Sequence, residues 1–486
     1  MWKANIKKFD HLSSNISCDT AIIGGGVAGL WCAYHLIRAG QKVVVLESKR
    51  IGSGVTSGST SILTYAQDII YKPLIKKHGV QVAKQYLSDT KNAITEIAEI
   101  VKTNSIECEF ESINFVLFST KRKGARALRK EKKALAKIDQ WIEETEPELP
   151  YRAKRALKFE GAYQFNPLKL CAWLADYIVK NGGQIFENTH VINAPDKNKL
   201  KINNYTVTAK NFIVATHFPI YNLPGFYWLK MYQHQNYAIA FKPSTKFKDF
   251  CKGVSYESID ETGFEYRLVG ENILIDGVPV RTGDKQYKSK YRIIEKHLIK
   301  HFGKYKEESR FMAQDCITMD KLPYAGRYSH FSDNVWVVTG FNKWGMTNSF
   351  VTAKTVTDMI LNGEYENNIY SPQRVALFVN LIETVDNVAT IAASFANNLL
   401  NLDTKKFNRI DNNQGAIIKY KGKRLGASRD EKGKLSLISG LCPHMGCNLK
   451  WNKDERTFDC PCHGSRFDPE GNIINNPSTK NCQRVK

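Results

Sequence analysis

The chain has 486 residues, a length that suggests about three domains, and 42% of it is hydrophobic. That fraction, with 11% aromatic residues, excludes a disordered chain, and no apolar run reaches the ~20 residues of a membrane-spanning helix. The formal net charge of +22 bears on solubility and anionic partners rather than on fold.

The first twenty residues lack the apolar stretch of a secretory signal, so the expected compartment is the cytoplasm. Residues 19–23 (DTAII) read as a buried parallel strand, followed by Gly24-Gly25-Gly26-Val27-Ala28-Gly29. A helical pattern, LWCAYHLIRAG, then leads to a second strand, Lys42–Leu46, which ends at Glu47. This is the strand–turn–helix–strand–acid unit that binds a dinucleotide. Gly24 permits the tight turn, Gly26 lets a pyrophosphate approach backbone N–H groups, and Gly29 allows close helix–strand packing. The helix N-terminus favours phosphate, and Glu47 stands where a carboxylate accepts ribose hydroxyls.

Residues 52–64, GSGVTSGSTSILT, follow directly. The basic run from Lys121 to Lys137 carries Ala125, Leu128 and Ala136 at helical spacing and reads as a solvated helix face. It lacks the aromatic or glycine pattern of a nucleic-acid module, so no nucleic-acid partner is expected. An acidic electron-carrier protein would suit the charge. Further strands are expected at Gly182–Phe186, Phe212–Thr216 and Asn334–Val338. The last follows Asp320-Lys321-Leu322-Pro323-Tyr324-Ala325-Gly326 and precedes Thr339–Asn348 (TGFNKWGMTN) and a helix to about Leu361.

With these motifs, the first 365 or so residues resemble the D-amino-acid oxidase and glycine/sarcosine oxidase superfamily of FAD enzymes. The resemblance implies an α/β Rossmann-like FAD-binding domain with an interleaved α+β substrate domain. FAD-binding parts are expected at about 17–71, 151–219 and 311–365, and substrate parts at about 72–150 and 220–310. It places Thr60 and Ser61 on a loop beside the flavin, and Gly345, Met346 and Thr347 at the turn whose helix dipole faces the flavin. No second GxGxxG occurs, so a separate nicotinamide domain is not expected. Catalytic residues stay unassigned; His217, His234, Tyr237 and Arg267 are polar candidates for the pocket. Some relatives attach flavin covalently through a Cys upstream of the late Asp, but Cys316 stands closer to Asp320 than in those enzymes. Noncovalent FAD is expected.

Residues 371–402 have helical apolar spacing after a Ser-Pro start and read as a connector, so the first unit spans 1–370. A third unit, 403–486, holds Cys442-Pro443-His444-Met445-Gly446-Cys447 and Cys460-Pro461-Cys462-His463-Gly464-Ser465. Two Cys and two His could hold zinc, although each half is a tight Cys/His turn unlike the halves of a finger. Both halves are similar to a Rieske 2Fe–2S protein, which implies an all-β domain. The resemblance assigns Cys442 and Cys460 to one iron and His444 and His463 to the other. It also implies a disulfide between Cys447 and Cys462, and a Pro loop at Asn476–Thr479. Ser465 matches a hydroxyl that bonds a bridging sulfide, whereas Phe467 replaces a frequent Tyr donor.

Together these resemblances imply a flavin-dependent dehydrogenase that oxidises an amine or amino acid. Its electrons would leave FAD through the cluster to a one-electron acceptor. A ferredoxin-driven flavin reductase and a non-catalytic redox sensor or electron-transfer subunit remain the alternatives.

Overall fold

The computed structural model describes residues 1–221, 223–284, 288–363, 368–374 and 410–485, together with Ala389 and Ala392. The expected connector at 371–402 therefore lies mostly outside the described residues.

Strand Ile16–Ile23 is buried on both faces from Thr20 onward, as its continuous small and β-branched run requires. It pairs in parallel with Val43–Leu46 on one side and Tyr205–Val214 on the other. Helix Val27–Arg38 crosses between the first two. The complete order is Tyr324–Arg327, Val335–Thr339, Tyr205–Val214, Ile16–Ile23, Val43–Leu46 and Gln184–Phe186, with Lys199–Ile202 paired to Tyr205–Val214. Helices Val27–Arg38 and Gly345–Asn362 pack together on one face, where the rings of Trp31 and Phe350 meet edge-on at 4.9 Å. Separate apolar clusters lie on the two sides of this sheet.

A second, nine-stranded sheet runs Lys306–Thr318, Met231–Lys242, Asn272–Arg281, Glu265–Val269, Val254–Ser258, Glu111–Ser119, Arg155–Gln164 and Ile62–Leu63, with Glu143–Glu144 at its edge. Ile62–Leu63, Arg155–Gln164 and Lys306–Thr318, from three separate stretches of the chain, all join this sheet. An apolar run announces a buried strand but not the sheet that accepts it.

The basic run forms helix Arg122–Ala136, as expected, with Leu128 and Leu135 inward. Its buried Glu131 accepts hydrogen bonds from the N–H groups of Ile70, Tyr71 and Lys72, where the earlier helix Tyr71–His78 begins. The last unit is all-β. Three antiparallel strands, Gly415–Tyr420, Lys423–Arg429 and Leu435–Ser439, stand beside a four-stranded sheet ordered Lys450–Asn452, Thr457–Asp459, Arg466–Phe467 and Ile473–Asn475. Lys421 and Gly422 both have positive φ, the geometry of a two-residue hairpin turn that matches strand twist.

Asp320, the acid of the late motif, is a structural group. It is fully buried and accepts from Arg374 Nε at 2.5 Å and Nη2 at 2.8 Å, while the guanidinium lies 4.0 Å from the Tyr324 ring centre. Burial opposes ionisation of Asp320, but Arg374 outweighs it and lowers the pKa below the usual 3.8. The pair therefore stabilises the fold above that pH and loses its contribution as pH falls through the lower folded value. Asp320→Asn leaves Arg374 buried without its counter-charge, and chemical denaturation at pH 7 should show a loss of about 3–5 kcal/mol. The deficit should shrink in strongly acidic buffer.

Candidate cofactor sites and the wall between them

Gly24 has φ +113°, and a Cβ there would lie 2.5 Å from the Ala215 carbonyl oxygen. A Cβ on Gly29 would lie 2.0 Å from the Gly24 carbonyl oxygen, so that glycine serves packing alone. Gly26 is different: a Cβ there would meet only Thr56 Oγ1, at 3.4 Å, and the residue lines a cavity of about 620 Å³. Gly24, Glu47, Thr60, Gly345 and Met346 line the same cavity. Glu47 turns its carboxylate to the N–H groups of Gly25, at 2.8 Å, and Lys49, at 2.7 Å. Ser61 is fully buried with a hydroxyl that has no hydrogen-bond partner. Thr347 does not reach the cavity; it exchanges hydrogen bonds with the backbone of Thr64. An open glycine cradle at a helix N-terminus, with an acid at the next strand end, fits the pyrophosphate and ribose of FAD.

Of the four polar candidates, only His217 lines the cavity. Burial lowers its pKa to about 4, opposed in part by hydrogen bonds with the Gln233 side chain and the Gln314 backbone. Arg267 donates instead to the carbonyl oxygens of Thr60 and Ser61 and lies over the Trp2 ring. Tyr237 bonds Gln235 and is buried, and His234 is outside the lining. The sequence reading missed Glu257, Glu265, Asp276, Asp315 and Lys343, all of which line the cavity. Burial raises Glu265 to about 7 and Asp315 to about 6. Cys316 packs in an apolar cluster with Met231 and Tyr324 and does not line the cavity.

In the last unit, Cys447 and Cys462 form a disulfide, which ties the two cluster loops together. The sulfurs of Cys447, Cys460 and Cys462 lie within 4.8 Å of one another, but the disulfide removes two of them as metal donors. Cys460 is hydrogen-bonded to Cys442, which lowers the pKa of Cys442 and raises that of Cys460. The rings of His444 and His463 lie 5.0 Å apart at 82°. His463 is 1% exposed, and neither of its ring nitrogens has a hydrogen-bond partner. An unpaired buried imidazole costs about 1–3 kcal/mol, and a bond to iron removes that cost. Two adjacent thiols and two adjacent imidazoles, on loops tied together by the disulfide, fit a 2Fe–2S cluster with mixed ligation. Ser465 Oγ accepts from the Ser478 N–H at 2.9 Å, which joins the Pro loop to the second cluster loop. Cys482 is a core thiol that burial pushes up to about 12.

The two sites share a wall. Gln233 Nε2 donates to the His463 carbonyl at 2.6 Å, and Gln314 Nε2 to the Gly464 carbonyl at 2.6 Å. Asn476 Nδ2 donates to the carbonyl oxygens of Thr216, at 2.5 Å, and Phe218, at 2.7 Å. Gly464 has φ +85°, and a Cβ there would lie within 2.8 Å of both glutamine side chains. Arg466, Asn475, Asn476 and Ser478 complete the cavity that begins at Gly24.

The fold and sites define a two-cofactor redox protein. Residues 19–359 match the model of the FAD dependent oxidoreductase (DAO) family, and the chain belongs to that family. Residues 403–486 match the Rieske [2Fe-2S] domain. A protein of Bacillus subtilis (strain 168) named for a Rieske 2Fe-2S iron-sulfur protein, YhfW, is 32% identical over the whole of this chain and 97% of its own length. The gamma-glutamylputrescine oxidoreductase of Escherichia coli (strain K12) is 25% identical over 74% of this chain and 87% of its own. The glycine oxidase of Geobacillus kaustophilus superposes with a TM-score of 0.62 at 18% identity, covering 74% of this chain and 99% of that one, which shows the fold. The chain is thus an oxidoreductase that binds FAD and a 2Fe–2S cluster.

The glycines allow a direct test of packing against cofactor contact. Gly29→Ala should lower both thermal stability and FAD content. Gly26→Ala should keep the melting temperature of the apoprotein within a few degrees and yet reduce FAD retention at least ~10-fold. Equal FAD retention in Gly26→Ala and wild type would remove Gly26 from the pyrophosphate site.

Proposed function

We propose that this enzyme oxidises a small amine or amino acid and delivers the electrons to an external one-electron acceptor, as a dehydrogenase rather than an oxidase. The observation that carries this reading is the shared wall: the loop bearing His463 is hydrogen-bonded to the strands that line the FAD cavity. When bound, FAD supplies two-electron oxidation, and the Rieske cluster supplies one-electron exchange with a protein acceptor. An oxidase that gives its electrons to oxygen has no need of the second cofactor.

In this reading, Gly24, Gly26 and Glu47 hold the dinucleotide, and Thr60, Gly345 and Met346 border the flavin; Ser61, next to Thr60 in the chain, is buried outside the cavity lining. Gly29 and Thr347 act through packing. FAD is held noncovalently, because Cys316 packs away from the cavity. Cys442 and Cys460 ligate one iron, and His444 and His463 the other. Glu265, held near neutrality by burial, is suited to take a proton from a substrate ammonium group. The name of the Escherichia coli relative supports an amine substrate. Units at 1–370, 371–402 and 403–486 divide the work between oxidation, connection and electron exit.

The exit side follows from burial. His463 faces the oxidoreductase unit, near Phe218 and Trp228, whereas His444 is half-buried beside exposed Pro443 and Leu441. The acceptor is assigned to the His444 side, and the net charge of +22 favours an acidic carrier. Among the described residues, no helix is long and apolar enough to cross a membrane.

An anaerobic titration tests the reading. A reducing amine should bleach the flavin band and then bring up the rhombic EPR signal of a reduced His/Cys 2Fe–2S centre in the same sample, without mediator. Bleached flavin beside a cluster that stays EPR-silent would contradict it. Acid precipitation should leave the yellow chromophore in the supernatant.

A further inference from the structure

Three carboxylates stand in one row across adjacent strands of the second sheet. Glu257 is directly opposite Glu265, and Glu265 directly opposite Asp276. Cross-strand neighbours share a face, and like charges in that position destabilise a sheet. All three line the cavity, as does Asp315 from the strand Lys306–Thr318. Asp68 adds a fifth carboxyl, hydrogen-bonded to Glu257.

The available cations do not balance this group. Lys343 lies among Asp68, Glu257, Asp276 and Asp315. Arg267, near Glu265, gives Nη1 to the carbonyl oxygens of Thr60 and Ser61. Arg466 reaches the cavity but donates to Asp459, Asn475 and Thr457. Arg267 does not line the cavity, and Arg466 has its donors engaged by its own unit, so neither is an anchor for a substrate carboxylate.

A second observation points to a ligand. Glu257 is 5% exposed and Glu265 8%, and Glu257 Oε2, Glu265 Oε1 and Asp276 Oδ1 have no hydrogen-bond partner. Buried polar atoms of this kind cost free energy unless something occupies the space they face. The occupant is not a compact metal ion. Among the described residues, the only donor set converging within 4.8 Å is that of Cys447, Cys460 and Cys462, so these carboxylates are too dispersed to share one. Dispersed carboxyl groups that ionise on meeting a cation suit an elongated one with separated positive ends.

We infer that the substrate is a di- or polyamine, an amine with a second positive charge along its chain, held by Glu257, Glu265 and Asp276. This rests on the proposed amine oxidation and narrows it: zwitterionic amino acids are disfavoured. Burial raises Glu257 and Asp276 well above the usual carboxylate range, Glu265 to about 7 and Asp315 to about 6, which fits a site that keeps its protons until a cation arrives and then releases them.

Three probes of one length test this on the anaerobic holoprotein: 1,4-diaminobutane, 1-aminobutane and 4-aminobutanoate. Binding is read by perturbation of the oxidised flavin spectrum and by calorimetry, and oxidation by bleaching. Breaking a buried charge pair is worth ~2–5 kcal/mol, so the diamine should bind at least ~30-fold more tightly than 1-aminobutane, and 4-aminobutanoate should bind weakest. Glu265→Gln and Glu257→Gln should each shrink that preference below ~10-fold and leave FAD content unchanged. Equal or tighter binding of 4-aminobutanoate or 1-aminobutane overturns the inference. Selective diamine binding without bleaching upholds the inference and overturns the oxidation reading.

Discussion

The contact of Gln233 and Gln314 with the backbone of His463 and Gly464 is the constraint on which the rest of the molecule depends. Each hydrogen bond is worth only about 1 kcal/mol net, yet both are buried and join units more than 140 positions apart in the chain. The missing side chain of Gly464 makes the approach possible, since a Cβ would collide with both glutamines. A second glycine acts in the same way: a Cβ on Gly283 would lie 2.6 Å from Pro461. Around this core, Gln235 bonds Asp459, Tyr291 bonds Glu455, and the Lys290 N–H bonds Asp454. The cluster loops are thereby part of the cavity wall rather than an appendage.

That arrangement makes the two imidazoles of the cluster loops unequal in exposure. Here His463 is buried against the oxidoreductase unit, and only His444 has partial access to solvent. The difference gives the cluster two inequivalent sides. The proposed reading uses both, with entry at the buried imidazole and exit at the half-buried one. The acidic row in the cavity fits the same scheme, because it sets which molecules approach the flavin. Its repulsion is tolerated only inside a sheet whose strands are held elsewhere by apolar packing such as that of Tyr266, Ile275 and Ile239.

Both cofactor motifs were legible in the sequence because each is local. The glycine turn lies within six residues and the Cys/His loops within six each, so chain order alone presents their chemistry. Glu257, Glu265 and Asp276 sit on three strands, and only their register makes them a row. Lys343 lies inside the late motif but was hidden by its better-known neighbours. Thr347 shows the converse: the motif places it at the turn, while a hydrogen bond to Thr64 turns it to packing. Gln233 and Gln314 carry no motif, and nothing short of the assembled sheet reveals what they hold.

The most direct test of the account is stopped-flow reoxidation in His463→Ala, a variant that leaves an iron short of a ligand. The flavin domain should stay folded, retain FAD and be bleached by substrate at the wild-type rate. Reoxidation by a one-electron protein acceptor should slow by orders of magnitude, since the remaining route begins from a buried flavin. Unchanged reoxidation in a variant shown to lack iron would contradict the account and leave the cluster-bearing unit a structural part.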